Sequence, residues 1–272
     1  MKHVSLPRPG PWRVIFVAVL GCLLALPALA DEPPPAPSTS AVASASARPV
    51  LAPPVAPAPP PASSAVRSNS LPAWEKIGDS DGIVAYRREV PGSPLIAVKG
   101  EGVVDASIVR VASVLVDTTR APEWIDRLVD SRVIREVSET ETIHYDHIGT
   151  PVVMKDRDFV TRTKLEFDSA GKKIILKMHS VTDPLAPPTD FVRGEIMESY
   201  FVLTSMEHGK KTHISVEVHA DPKGSIAKWI VNMFQKSWPH NTISRLRTQT
   251  AKADIKDHPR LKAELTQSGY LN

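Results

Sequence analysis

At residue 70 this 272-residue chain changes character. Residues 31–70 are almost entirely Pro, Ala, Ser and Val, with too few large apolar or aromatic groups for burial to offset the entropy of ordering them. They are expected to form a linker, drawn out in polyproline II, reaching on the order of 100 Å at ~3.1 Å per residue. From Leu71 onward apolar periodicity begins, and four of the five tryptophans (Trp74, Trp124, Trp229, Trp238) lie there. Any core must come from residues 71–272, which predicts a single folded domain.

Residues 1–30 read as a secretory signal. Lys2, Arg8 and Arg13 flank or precede an apolar run over 14–26, and Ala28-Leu29-Ala30 supplies small residues where a signal peptidase cuts. The chain is therefore expected to be exported, to a periplasm or beyond. Two alternatives stay open. Val19-Leu20-Gly21-Cys22 resembles a lipobox, which would place a lipid on Cys22, although Leu23 to Leu26 stay apolar where polar residues normally follow. The run also sits at the lower limit for spanning a bilayer, so an uncleaved anchor is the second. Cleavage after Ala30 leaves no cysteine, and the fold then stands on its core without disulfides.

The formal charge of +3 belongs to the N-terminal segment. Five of the 33 Lys and Arg and two of the 30 acids precede residue 71, leaving 28 of each sign in the domain. A domain without net charge has no field with which to displace counterions from a phosphate backbone, so nucleic acid is not expected as a partner.

Within the domain, Trp74-Glu75-Lys76-Ile77 is read as a short helix or cap, followed by strands over 83–90 and 95–104. Asp105 is placed as the cap of an amphipathic helix whose buried face is Ile108, Val111, Ala112, Leu115 and Val116. A second short helix follows, with Pro122 in its first turn and Trp124, Ile125, Leu128 and Val129 on its apolar side. Period-two alternation then predicts strands over 142–149, 157–167, 172–180, 195–204 and 212–220. In the last, Ile214, Val216 and Val218 face one way while His213, Ser215, Glu217 and His219 face the other. A long helical pattern, with Ser225 as a possible cap and Pro239 expected to bend it, runs to about Ile255. The polar tail 252–272 is read as a solvated helix end. The fold class is thus α+β, a curved antiparallel sheet packed around a long C-terminal helix.

No nucleophile elbow, phosphate-cradling glycine loop or Cys/His metal pattern is recognised, so neither cofactor nor metal is expected. His213 and His219 are six residues apart on one strand, roughly 20 Å at ~3.3 Å per residue, too far to share an ion.

Arg157-Asp158-Phe159-Val160 entering a central strand, Lys223-Gly224 and Lys228-Trp229-Ile230-Val231-Asn232 at the last helix, Lys236-Ser237-Trp238-Pro239, and Leu246-Arg247-Thr248-Gln249 resemble the START domain, the StAR-related lipid-transfer module of the helix-grip superfamily, in its bacterial exported form. The resemblance covers nearly all of 72–256. It implies a START-like helix-grip fold with a hydrophobic cavity, a single bound lipid or similar apolar ligand, transfer of that ligand with transient membrane contact, and a monomer without catalytic residues. It also implies an entrance gated by the last helix and the loop before the sixth strand. Here that loop is matched to residues 181–194, with Leu185, Pro187 and Phe191 as a lip beside Trp229.

The cavity candidates are Ile174, Leu176, Met178, Met197, Phe201, Ile214 and Val216 from strands, with Ile230, Met233 and Phe234 from the helix. An acyl chain of ~16 carbons left in water costs on the order of 13 kcal/mol, so a carrier must cover nearly all of it. The buried acid and arginine of sterol-binding family members do not both recur. The arginine position becomes Thr163, and the acidic one His147, or Asp146 if the strand slips by one. Tyr145, His147 and Thr163 are expected to share a face as a neutral polar patch. Arg157 and Asp158 are read as structural contacts. An aromatase/cyclase-like enzyme of the same superfamily and a lipid-responsive interaction module are the alternatives.

Overall fold

The computed structural model describes residues 71–150, 154–224, 226 and 228–267, with the backbone alone for 228–235. The expected signal and linker (1–70), the expected cap Ser225 and the last five residues lie outside the described residues.

The domain begins with a strand where a helix was expected. β1 (Glu75–Ser80) pairs antiparallel with β2 (Ile83–Glu89) across Asp81-Gly82. Both turn residues have positive φ, 53° and 66°, the hand that a two-residue hairpin needs and that Asp-Gly adopts readily. β3 (Ile96–Val104) follows, then α1 (Ile108–Val116). The cap of α1 is Ser107, whose hydroxyl accepts from the Arg110 N–H, and not Asp105. All five expected apolar positions of α1 are buried.

The second short helix is a 3-10 turn over Thr118–Glu123, capped by Asp117. Leu128 and Val129, assigned to its apolar side, instead open β4 (Leu128–Ser138), where Leu128 is buried and Val129 exposed. Three register shifts against β5 break the period-two signal, which is why this strand was not legible. β5 (Glu141–Ile148), β6 (Arg157–Asp168), β7 (Lys173–Ser180), β9 (Glu195–Met206) and β10 (Lys211–Asp221) match the expected strands, and a two-residue β8 (Val192–Arg193) runs parallel to β6.

The sheet order is β1-β2-β3-β10-β9-β7-β6-β5-β4, with β8 beside β6. One face carries the helices. α2 (Lys228–Ala251) crosses β3 at two glycines: a Cβ on Gly100 would lie 2.6 Å from the Cβ of Pro239, and one on Gly102 would press on Ile243 and Arg247. Trp238, Ile243 and Leu246 are buried there, joined by α1 in a single core with the sheet. The tail does not end as a solvated helix end. It folds into α3 (Pro259–Gln267), whose Leu261 and Leu265 are fully buried in the same core.

Candidate functional site

The helix-bearing face can be read across the strands by register. Leu165 of β6, Leu176 of β7, Phe201 of β9 and Val216 of β10 stand in one row, and Ile174, Leu203 and Ile214 in the next. All are buried in the main core. One step along, Thr163 stands beside Met178, Met178 beside Ser199, and Ser199 beside Val218. Six of the seven strand candidates, Ile174, Leu176, Met178, Phe201, Ile214 and Val216, therefore lie together on this face.

Met197 does not join them. A bulge in β9 moves the register between His219 and Ala220, so Ile196 pairs with Ala220 and is buried in the core, while Met197 is only half-buried. One extra residue in a strand reverses the alternation beyond it. Ile230, Met233, Phe234 and Trp229 fall on the helix, but their side chains lie outside the described residues.

The polar patch is differently composed from the one expected. Thr163 pairs with Thr142, Thr161 with His144, and Phe159 with Asp146. Paired residues share a face, so Thr142, His144 and Asp146 of β5 join Thr161 and Thr163 of β6 on the helix-bearing side. Tyr145 and His147 stand on the opposite, outer face. Parity within one strand was correctly read; the register between β5 and β6 was not available from it, and a one-residue slip exchanges faces.

All five patch residues are buried. The Ser131 hydroxyl donates to Asp146 Oδ1 at 2.6 Å, and Thr142 Oγ1 lies 2.7 Å from His144 Nε2. Asp146 Oδ2, Thr161 Oγ1 and Thr163 Oγ1 have no hydrogen-bond partner among the described residues. Burial pushes the Asp146 carboxyl up to about 8, against the opposing pull of the Ser131 bond, so the group is mostly protonated at neutral pH. Burial lowers His144 to about 3 and keeps its imidazole neutral. The patch is uncharged.

The other polar residues of these strands are fastened to protein. Arg157, buried at the start of β6, donates to the carbonyls of Lys155, Pro222 and Lys223, tying β6 to the approach to α2. Asp158, on the outer face, accepts two bonds from Arg193 and one from Thr189. On the same outer face the Arg132 guanidinium lies 4.3 Å from the Tyr145 ring centroid, and His147 stacks on Phe191 while its Nε2 lies 2.8 Å from Asp156.

Residues 181–194, matched in sequence to the entrance loop, lie against this outer face. Ala186 and Val181 pack with Ile143, Tyr145 and Val160, and the bidentate pairs Arg135 to Asp183 and Arg193 to Asp158 hold the segment down. Leu185 and Pro187 are exposed. The addition of β1 and β4 also changes the count: the loop preceding the sixth strand is 149–156, of which 151–153 lie outside the described residues. One sequence pattern was overlooked. Gly78-Asp79-Ser80-Asp81-Gly82 has the Gly-x-Ser-x-Gly spacing, but it forms the exposed β1 to β2 hairpin, whereas a nucleophile elbow turns from a strand into a helix.

The model described as START domain matches residues 62–252. The chain belongs to the START domain family. The chain is also similar to an uncharacterized protein of Pseudomonas aeruginosa, 26% identical over 183 residues that cover 66% of this chain and 87% of that protein. Among solved structures, the StAR-related lipid transfer protein of Xanthomonas axonopodis is 27% identical, with a TM-score of 0.59 over 66% of this chain and 99% of that one. Human STARD10, at 20% identity, shares the fold with a TM-score of 0.61 over 71% of this chain and 77% of its own. The START architecture is thus an α+β helix-grip fold.

Proposed function

We propose that this START domain binds one lipid or similar apolar molecule between the helix-bearing face of its sheet and α2, and carries it outside the cytoplasm without altering it. The observation that carries this reading is the continuous buried row Leu165, Leu176, Phe201 and Val216 ending beside buried Asp146, Thr161 and Thr163, each with an oxygen that has no hydrogen-bond partner among the described residues. An apolar wall with a few convergent polar groups is how a protein holds an amphiphile: the wall covers the tail and the polar groups fix its orientation. Export is supported by the signal-like first thirty residues, and a long Pro/Ala-rich tether suits a domain that works beside a membrane. A monomer meeting the membrane transiently is sufficient for this role.

Native mass spectrometry of the chain purified from its own envelope tests the reading. One co-purifying lipid per chain is expected, released with its mass unchanged. A chain that stays empty and takes up no lipid would contradict it, and a chemically altered product would turn the assignment to an enzyme.

A further inference from the structure

The helix-facing strip Thr142, His144, Asp146, Thr161 and Thr163 has a composition that restricts its ligand, and this inference rests on the lipid-binding reading above. The strip extends about 13 Å along β5, from Thr142 to Asp146, at ~3.3 Å per residue. Every member is buried, and three of its oxygens, on Asp146, Thr161 and Thr163, lack a partner among the described residues. A buried hydroxyl or carboxyl left unbonded costs about 1 to 3 kcal/mol, so three of them on neighbouring strand positions form a costly arrangement unless something bonds to them.

Charge is what the strip lacks. Among the helix-facing described positions of β5, β6, β7, β9 and β10 there is one permanent cation, Arg157, and its guanidinium is committed to the carbonyls of Lys155, Pro222 and Lys223. A phosphate or carboxylate brought against these strands would lose its hydration without gaining a cation from the described sheet positions. An ammonium would meet a carboxyl that already accepts from Ser131 and would have to ionise inside a buried sheet face. Hydroxyl and ester oxygens, by contrast, exchange hydrogen bonds with threonines and a carboxylic acid without placing a charge in the interior.

We infer that the ligand of this domain is an uncharged amphiphile whose hydroxyl or carbonyl oxygens bond to Asp146, Thr161 and Thr163. Phospholipids with charged headgroups are disfavoured even though their tails would fit the same apolar wall.

The test is a competition between headgroups on one tail. The full-length chain is incubated with dioleoylphosphatidylcholine vesicles carrying dioleoylglycerol, dioleoylphosphatidic acid or 1,2-dioleoyl-3-dimethylammonium-propane, re-isolated, and its cargo read by native mass spectrometry. Dioleoylglycerol is expected at one per chain, retained about tenfold more than either charged probe or the phosphatidylcholine itself. Replacing the two hydroxyls by methyls of equal size, Thr161→Val with Thr163→Val, is expected to reduce that retention about tenfold. Equal or better retention of a charged probe overturns the inference while leaving lipid binding intact, and so does undiminished dioleoylglycerol retention in the double variant. A chain that extracts nothing from any vesicle overturns both this inference and the reading beneath it.

Discussion

Arg193 donates hydrogen bonds of 2.7 and 2.9 Å to the two carboxylate oxygens of Asp158, a side chain with no exposed surface. The pair fastens residues 181–194 to β6. Burial alone would raise the Asp158 carboxyl, but the bonds from Arg193 and Thr189 outweigh it and hold the group below its ordinary value. Arg193→Ala would strand a buried carboxylate, and a loss of about 3 kcal/mol is expected in urea unfolding. Replacing both residues, Arg193→Leu with Asp158→Leu, is expected to cost less than the single change, because no unpaired charge is left. A single-variant cost below about 0.5 kcal/mol would show the pair to be of surface type.

Gly100 marks the crossing of α2 over the sheet. A methyl there would meet Pro239 at 2.6 Å from its Cβ and 3.2 Å from its backbone Cα, so relief requires moving the helix itself. Gly100→Ala is expected to cost about 1 to 3 kcal/mol, as overpacking does, and to lower the thermal midpoint accordingly. A variant as stable as the parent would mean that α2 does not sit this close.

Residue pairing, more than residue type, decided what could be read in advance. The periodicity of 212–220 and of 108–116 reported one face of one element, and that sufficed for Ile214, Val216 and the buried side of α1. Tyr145, His147 and Thr163 required the register between two strands, and Met197 required a bulge, neither of which leaves a mark in single-strand alternation. The polar positions 142, 144 and 146 form a period-two run in β5, as do 161 and 163 in β6, and that was the available signal for the strip. α3 was missed because only Leu261 and Leu265 face inward on an otherwise charged segment.

That tail makes a prediction of its own. Leu265→Ala removes a fully buried side chain from the contact with α1 and is expected to destabilise the domain by about 2 to 5 kcal/mol in chemical unfolding. A neutral result would return the tail to the role of a solvated end.

Asp146 and His144 together predict an unusual stability profile with pH. Burial pushes the Asp146 carboxyl up from its ordinary 3.8 to about 8, so the folded state holds the extra proton and stability falls as pH rises between those values. Burial lowers His144 from its ordinary 6.5 to about 3, so its contribution is present above 6.5 and is lost as pH falls toward 3. The two slopes oppose each other between about pH 4 and 6.5, leaving Asp146 alone to lower stability from about 6.5 to 8. Thermal midpoints across this range should fall only in the upper part, and Asp146→Asn should abolish that fall while exposing a rise with pH below it. A fall that survives in Asp146→Asn would assign the effect to another group.

The most direct measurement of ligand position is nuclear magnetic resonance on protein carrying labelled Ile, Leu and Met methyls, loaded with the lipid it retains from vesicles. Tail protons are expected to give intermolecular cross-peaks to Ile174, Leu176, Met178 and Ile214 and none to Ile143 on the outer face. Cross-peaks to Ile143 without any to the helix-facing methyls would place the lipid elsewhere and contradict the account.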